Sequence, residues 1–332
     1  MRRVLAALLL AALPTQAHAW GATGHRIVGE LGMEALPEEL PAFLRTPQAV
    51  ADVAELAREP DRWKGAGKLH DSDRDPAHFI DVDDAGLIMG GPPLAALPET
   101  RADYESALRA VGSDAWQAGY LYYALVDGWQ QLMKDFATWR AVAAAEARTD
   151  DPARRAWYAA DRARREALIV RDIGVFAHYV GDASQPLHVS VHFNGWGDYP
   201  NPHGFTVAAI HNDTEGAFVK ANVGADAVRA RMAPRADCPC AMETRTVRYL
   251  QATAATVQPF YALEKQGGFT GADPRGAEFA AGRLAAGAAE LRDLLVHAWR
   301  ASGRATFGWP PLSVADVESG AVDPYDSLYG TD

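Results

Sequence analysis

The 332-residue chain has little cysteine, few basic residues for its length and only one long apolar run. Its two cysteines stand together in Cys238-Pro239-Cys240. That excludes a disulfide framework, and a chain of this size can bury a core without one. Two thiols alone also offer too few ligands for a structural zinc site. The pair can close a tight Cys-x-Cys bridge or stay free. Lys and Arg number 32 against 43 Asp and Glu, for a formal net charge of -11. Such a chain does not hold long nucleic acid through a broad basic surface. Attraction for a polyanion would have to be local, and metal ions are one source of it. Strand signals are few, and neither an internal repeat nor a linker between two cores is visible.

The apolar run is at the start. Met1-Arg2-Arg3 is basic, Val4 to Leu13 is apolar throughout, Pro14 breaks the run, and Ala17-His18-Ala19 is an A-x-A cleavage signal. This is the layout of a secretory signal peptide over residues 1–19. The run is about half as long as a membrane-spanning helix requires. Later segments are less apolar still, so no stable membrane association is expected. Cleavage after Ala19 would give a secreted or periplasmic protein and leave Trp20 with a free α-amino group. Loss of Arg2 and Arg3 with the leader takes the formal net charge from -11 to -13.

What remains reads as helix. Ile27, Val28, Leu31 and Leu36 are spaced for an amphipathic helix over 25–36. Ala-rich stretches fill 101–148, with breaks expected near Gly112-Ser113 and Gly128. Asp151-Pro152 is a cap and first turn for a helix over 152–181. Residues 242–266 and 275–302 read as further helices. Residues 84–98 and 190–206, rich in Gly, Pro and Asn, read as loops. The expectation is one all-α domain over residues 20–302, with an irregular tail over 303–332.

Metal-ligand chemistry is concentrated in four places. His178 and Asp182 are four apart on a predicted helix and share a face. Gln185-Pro186 then turns the chain and sets His188 near the helix end. His211 and Glu215 repeat the His-x3-carboxylate spacing. Asp61 and Lys64 precede His78-Phe79-Ile80-Asp81, and Trp20 and His25 lie at the new amino terminus. A single pair of this kind is commonly a surface or capping pair. Two separate pairs, with imidazole and carboxylate donors and no thiolate, suit zinc with positions left open. His70, His192, His203 and His297 lack the pattern and are expected to be non-ligands, His192 being nearest to a ligand in sequence.

Trp-Gly-x-x-Gly-His at a mature amino terminus, His-Phe-Ile-Asp, and His-x3-Asp-x2-Gln-Pro-Leu-His together resemble the S1/P1 nuclease family over roughly residues 20–300. The resemblance implies an all-helical fold of the phospholipase C/P1 nuclease type and three Zn2+ ions. Trp20, through its amino nitrogen and carbonyl oxygen, would bind one ion with His25. Asp61, His78 and His178 would bind a second, with Asp182 bridging the two. His188, His211 and Glu215 would bind the third. Phe79 would stack on a base and Asp81 contact its edge. A base must leave its duplex to be stacked in this way, which favours single-stranded DNA or RNA. The implied activity is an endonuclease giving 5′-phosphate products, with 3′-nucleotidase activity as a possible companion. Lys64, one turn after Asp61, would stabilise the charge that develops on phosphate.

The chain departs from that pattern in places. Glu215 stands where the nucleases usually have Asp, as in the related bacterial zinc phospholipases C. The segment before His211 differs, and the fungal nucleases' cysteines are absent. The five-residue step from Trp20 to His25 follows the nucleases. A phospholipase C or other phosphoesterase is therefore the alternative, and a non-catalytic zinc protein the second. Activity on phosphatidylcholine but not on single-stranded nucleic acid would select the first. Full zinc loading without any phosphoesterase activity would select the second.

Overall fold

A computed structural model describes residues 20–330 except Ala272. The leader expected over residues 1–19 lies outside the described residues. The elements follow in order as α1 (Ala22–Glu34), α2 (Pro47–Leu56), α3 (Glu59–Trp63), α4 (Lys68–Arg74), α5 (Arg101–Ala110), α6 (Ala115–Ala118) and α7 (Leu121–Arg148). Then come α8 (Pro152–Asp182), α9 (Val219–Asn222), α10 (Ala225–Arg229), α11 (Met242–Ala254), α12 (Val257–Lys265) and α13 (Pro274–Ser302). A two-stranded antiparallel ribbon, β1 (Thr306–Phe307) with β2 (Leu312–Ser313), precedes α14 (Val314–Ser319) and α15 (Tyr325–Tyr329). The chain is thus mostly helical and forms one domain.

Local chemistry explains the long helices. Asp151 caps α8 by accepting from Ala153 N at 2.8 Å, and Pro152 fills the first turn. Asp273 and Pro274 do the same for α13. Three residues join α7 to α8, so the two pack as an antiparallel pair. α1 lies against α13, α2 and α8. The main core runs through Val28, Leu31, Phe136, Ile173, Phe176, Leu291 and Leu295, all buried. Gly174 lets α8 approach α2 closely, since a Cβ there would lie 2.3 Å from Leu56 Cβ. That approach brings Ala57, just past α2, within reach of His178.

Three local expectations are corrected. α7 runs unbroken through Gly128, which packs against the Phe176 ring. The helix expected over 242–266 is two, α11 and α12, parted at Ala255-Thr256. The tail is not irregular: Phe307, Val314 and Val317 bury against Ala137 and Ala141 of α7, and Leu328 packs there too. The 303–330 segment therefore shares a hydrophobic cluster with the helical domain. The loop over 190–206 holds its own small core, in which Trp196, Phe205, Phe260 and Tyr261 meet Leu187. Cys238 and Cys240 form a disulfide. Among the described residues, no helix is long and apolar enough to cross a membrane.

Candidate metal centre

The end of α8 is the spine of the site. His178 and Asp182 face the same way, with His178 Nε2 3.3 Å from Asp182 Oδ2. His78 ends a short 3-10 turn, Asp75–His78, and its Nδ1 lies 3.1 Å from Asp182 Oδ2 and 2.9 Å from His178 Nε2. His25, on α1, stacks on His178 with ring centres 3.9 Å apart. Its Nε2 is 3.4 Å from Asp182 Oδ1. Asp61, on α3, approaches His178 Nε2 to 4.0 Å. The chain then turns through Pro186–His188, with Gln185 accepting from Leu187 N at 3.2 Å. His188 Nε2 meets His211 Nε2 at 3.1 Å, and His211 Nε2 meets Glu215 Oε2 at 2.7 Å. Glu215 sits in a wide helical turn, Asp213–Phe218.

Three sets of donor atoms converge closely enough to hold metal ions: His25, Asp61 and His178; His78, His178 and Asp182; and His188, His211 and Glu215. Eight of the nine expected ligands are thereby brought together through their side chains. The grouping differs from the expected one: Asp61 falls with His25 rather than with His78, His178 falls in both of the first two sets, and Asp182 falls with His78 and His178 only, its Oδ1 lying 3.4 Å from His25 Nε2. Trp20, the ninth, is buried beside them, and its indole lies over the end of α8. Asn194 Oδ1 accepts from Ile210 N at 3.0 Å and from His211 N at 3.1 Å, and so fixes the third set.

The donors fit a cation. Both ring nitrogens of His25, Oδ1 of Asp182 and Oε1 of Glu215 are buried without a hydrogen bond. Buried polar groups of this kind are costly unless something satisfies them. The tautomers are set from behind. His178 Nδ1 is 2.8 Å from Ala57 O, and His188 Nδ1 is 2.7 Å from His78 O. Each Nδ1 must donate its proton to a carbonyl, which leaves each Nε2 a lone pair facing the centre. Burial lowers the pKa of His25 to about 3, reinforced by His178. Burial, then the Lys64 charge, lowers His78 to about 3, and burial lowers His178 to about 4. These imidazoles are neutral, the form that binds metal. Burial raises Glu215 to about 7.

A cleft of about 520 Å³ opens over the centre, with His78, His188 and His211 in its lining. Lys64 reaches it, and Lys64 Nζ lies 2.7 Å from Asp61 Oδ1. Arg62 points away, to Glu59 at 2.5 Å and Glu55 at 3.6 Å. Phe79 and Asp81 line one wall. Asp81 is buried, its Oδ1 has no hydrogen-bond partner, and burial pushes its carboxyl well above the usual range. His192 is no ligand in any of the three sets: it stacks on Trp196 at 3.6 Å, and its nitrogens face Trp196 O and Asp84 Oδ1. His70, His203 and His297 also stand outside the three sets.

Sequence reasoning missed two groups. Ser184, Tyr249, Thr253 and Arg283 brace the end of α8 from behind. Trp116, Phe193 and Tyr199 line the cleft mouth. No spacing rule links residues 116 and 79, which only the fold brings together. Fold and site define a helical protein with a centre that could hold metal ions in three adjoining sets. A scan against protein-family models and a search of curated proteins each return no match.

Proposed function

We propose that the chain is an exported phosphodiesterase of the S1/P1 nuclease type, using three zinc ions to cleave single-stranded DNA or RNA to 5′-phosphates. The observation that carries this reading is the gathering of imidazole and carboxylate donors into three adjoining sets, of which His78, His188 and His211 line one cleft together with Lys64. Donors of this kind, without thiolate, suit zinc with open positions. When bound, the ions would lower the pKa of water and offset phosphate charge. In hydrolysis the water oxygen joins phosphorus as the bond from phosphorus to O3′ breaks. The O3′ departs with the electron pair and takes up a proton. Lys64 donates to a non-bridging oxygen as charge grows there. Phe79 offers a ring face to a base, and Asp81 can exchange hydrogen bonds with the base edge. Once the leader is removed, the freed amine of Trp20 would help His25 to hold one of the ions.

The test is a substrate panel on the chain beginning at Trp20, with zinc counted in parallel. Single-stranded DNA, duplex DNA, RNA, nucleoside 3′-phosphates and phosphatidylcholine are compared. Faster cleavage of single strands supports the reading. Hydrolysis of phosphatidylcholine alone replaces it with a phospholipase.

A further inference from the structure

The cleft has an outer wall as well as an inner one. Trp116 stands on α6, whose start is capped by Asp114 accepting from Gln117 N at 2.9 Å. The segment around α6 is stitched to the Phe79–Asp81 wall. Asp81 N donates to Ala118 O at 2.9 Å and Leu121 N to Phe79 O at 3.0 Å. The buried Tyr104 hydroxyl donates to Gly119 O at 2.6 Å. Gly119 has φ +69°, and a Cβ there would lie 2.0 Å from Phe79 O, so only glycine permits so close an approach. Trp116 is therefore fixed beside the inner wall, yet it is 54% exposed.

Phe193 also lines the cleft and is 46% exposed. Its loop is held by Val191 N donating to Val82 O at 3.1 Å and by the His192–Trp196 stack. Its neighbour Asn194 holds the main chain of His211. Both rings thus stand on frames that also position the site. Large aromatic rings half in water on fixed supports do little for the fold and are suited to a ligand face.

This inference rests on the phosphodiesterase reading. A phosphodiester joins two nucleosides, and Phe79 with Asp81 can serve one of the bases. We propose that Trp116 and Phe193 form a second stacking subsite, which takes the adjacent base of the single strand without regard to its identity. Every base offers a ring face, so such a platform adds affinity without sequence preference. Charge favours a base there over a further phosphate. Among the described residues lining the cleft, Lys64 is the single Lys or Arg, and Asp75 and Asp81 are acidic.

The test compares Trp116→Ala, Phe193→Ala and Trp116→Phe on a dinucleotide and on its two analogues that each carry one abasic sugar. Each alanine variant should raise KM for the dinucleotide about 10-fold with kcat nearly unchanged, as loss of one stacked base would. Trp116→Phe should restore most of the affinity. One abasic analogue should show no difference between wild type and the alanine variants, because the base that stacks is already missing. Equal KM shifts on all three substrates, or no shift on any, overturn the subsite and leave the nuclease reading intact. If the rings matter for binding of phosphatidylcholine vesicles and not for the dinucleotide, they form a lipid-contacting rim and the subsite is wrong. A wild type that cleaves no nucleotide substrate sinks the nuclease reading and the subsite together.

Discussion

The indole Nε1 of Trp20 donates a 2.8 Å hydrogen bond to Ser184 Oγ and so ties the start of α1 to the end of α8. These two helices carry His25 and Asp182, whose facing atoms lie 3.4 Å apart. Ser184 is itself anchored, donating to Gly181 O at 2.7 Å and accepting from Arg283 Nε at its carbonyl at 2.8 Å. Tyr249 and Thr253 satisfy Val180 O and Ala183 O, carbonyls that a helix end leaves open. The tie therefore sets the His25–Asp182 spacing from behind.

On the proposed reading, in which His25 helps to hold a zinc ion, Ser184→Ala should weaken zinc binding there by about 10- to 100-fold, a usual cost of losing a partner behind the ligands. Trp20→Phe removes the same indole donor and should act alike. The double variant should be no worse than either, since both changes break one contact. Competition with a chromophoric chelator measures this without any assay of activity. Unchanged affinity in both single variants would show that the bond does not position the site. A methionine added before Trp20 separately tests the amine as a ligand, and should cost one zinc equivalent.

Lys64 and Arg62 give a second contrast. Lys64 faces the cleft beside Asp61, whereas Arg62 pairs outward with Glu59. Lys64→Ala should lower kcat on single-stranded DNA by about 10- to 1000-fold with zinc content unchanged, as loss of a transition-state contact does. Arg62→Ala should be close to silent. The reverse result would move the charge stabiliser to another residue.

Three buried histidines should cost the metal-free protein stability in acid. The folded pKa values of His25, His78 and His178 lie at about 3 to 4, below the ordinary 6.5. Unfolding then takes up protons, so stability is present above about 6.5 and is lost as pH falls toward 3. Glu215, raised from 4.5 to about 7, acts in the opposite sense between those values. Burial also raises Asp81, and raises Asp135 to about 6, so these carboxyls act with Glu215 against the histidines. The share of one histidine is therefore read as a difference: in the chelator-treated protein, His25→Asn should lessen the fall in Tm, or enlarge the rise, on going from pH 7.5 to pH 5. An unchanged pH dependence in that variant would contradict the buried, neutral state of the His25 ring.

Much of this was legible in the sequence for a physical reason. Asp151-Pro152 marks a helix start locally, and a four-residue step puts His178 and Asp182 on one face whatever the tertiary context. The same step brings His211 to Glu215 even through a widened turn. What depends on distant approach was not legible. Ser184 meets Trp20 across 164 residues, and the Phe79 wall meets Gly119 through a loop that no period encodes. The tail misled because its apolar residues are sparse. Phe307, Val314 and Val317 fit no single period, yet each finds the small-residue face of α7 at Ala137 and Ala141.

Zinc titration of the chelator-stripped chain beginning at Trp20, followed by cleavage of single-stranded DNA, tests the central claim most directly. The account predicts no cleavage without metal, recovery that saturates at three zinc equivalents per chain, and 5′-phosphate ends on the products. Cleavage that persists in excess chelator, or zinc loading to three equivalents without any cleavage, would contradict it.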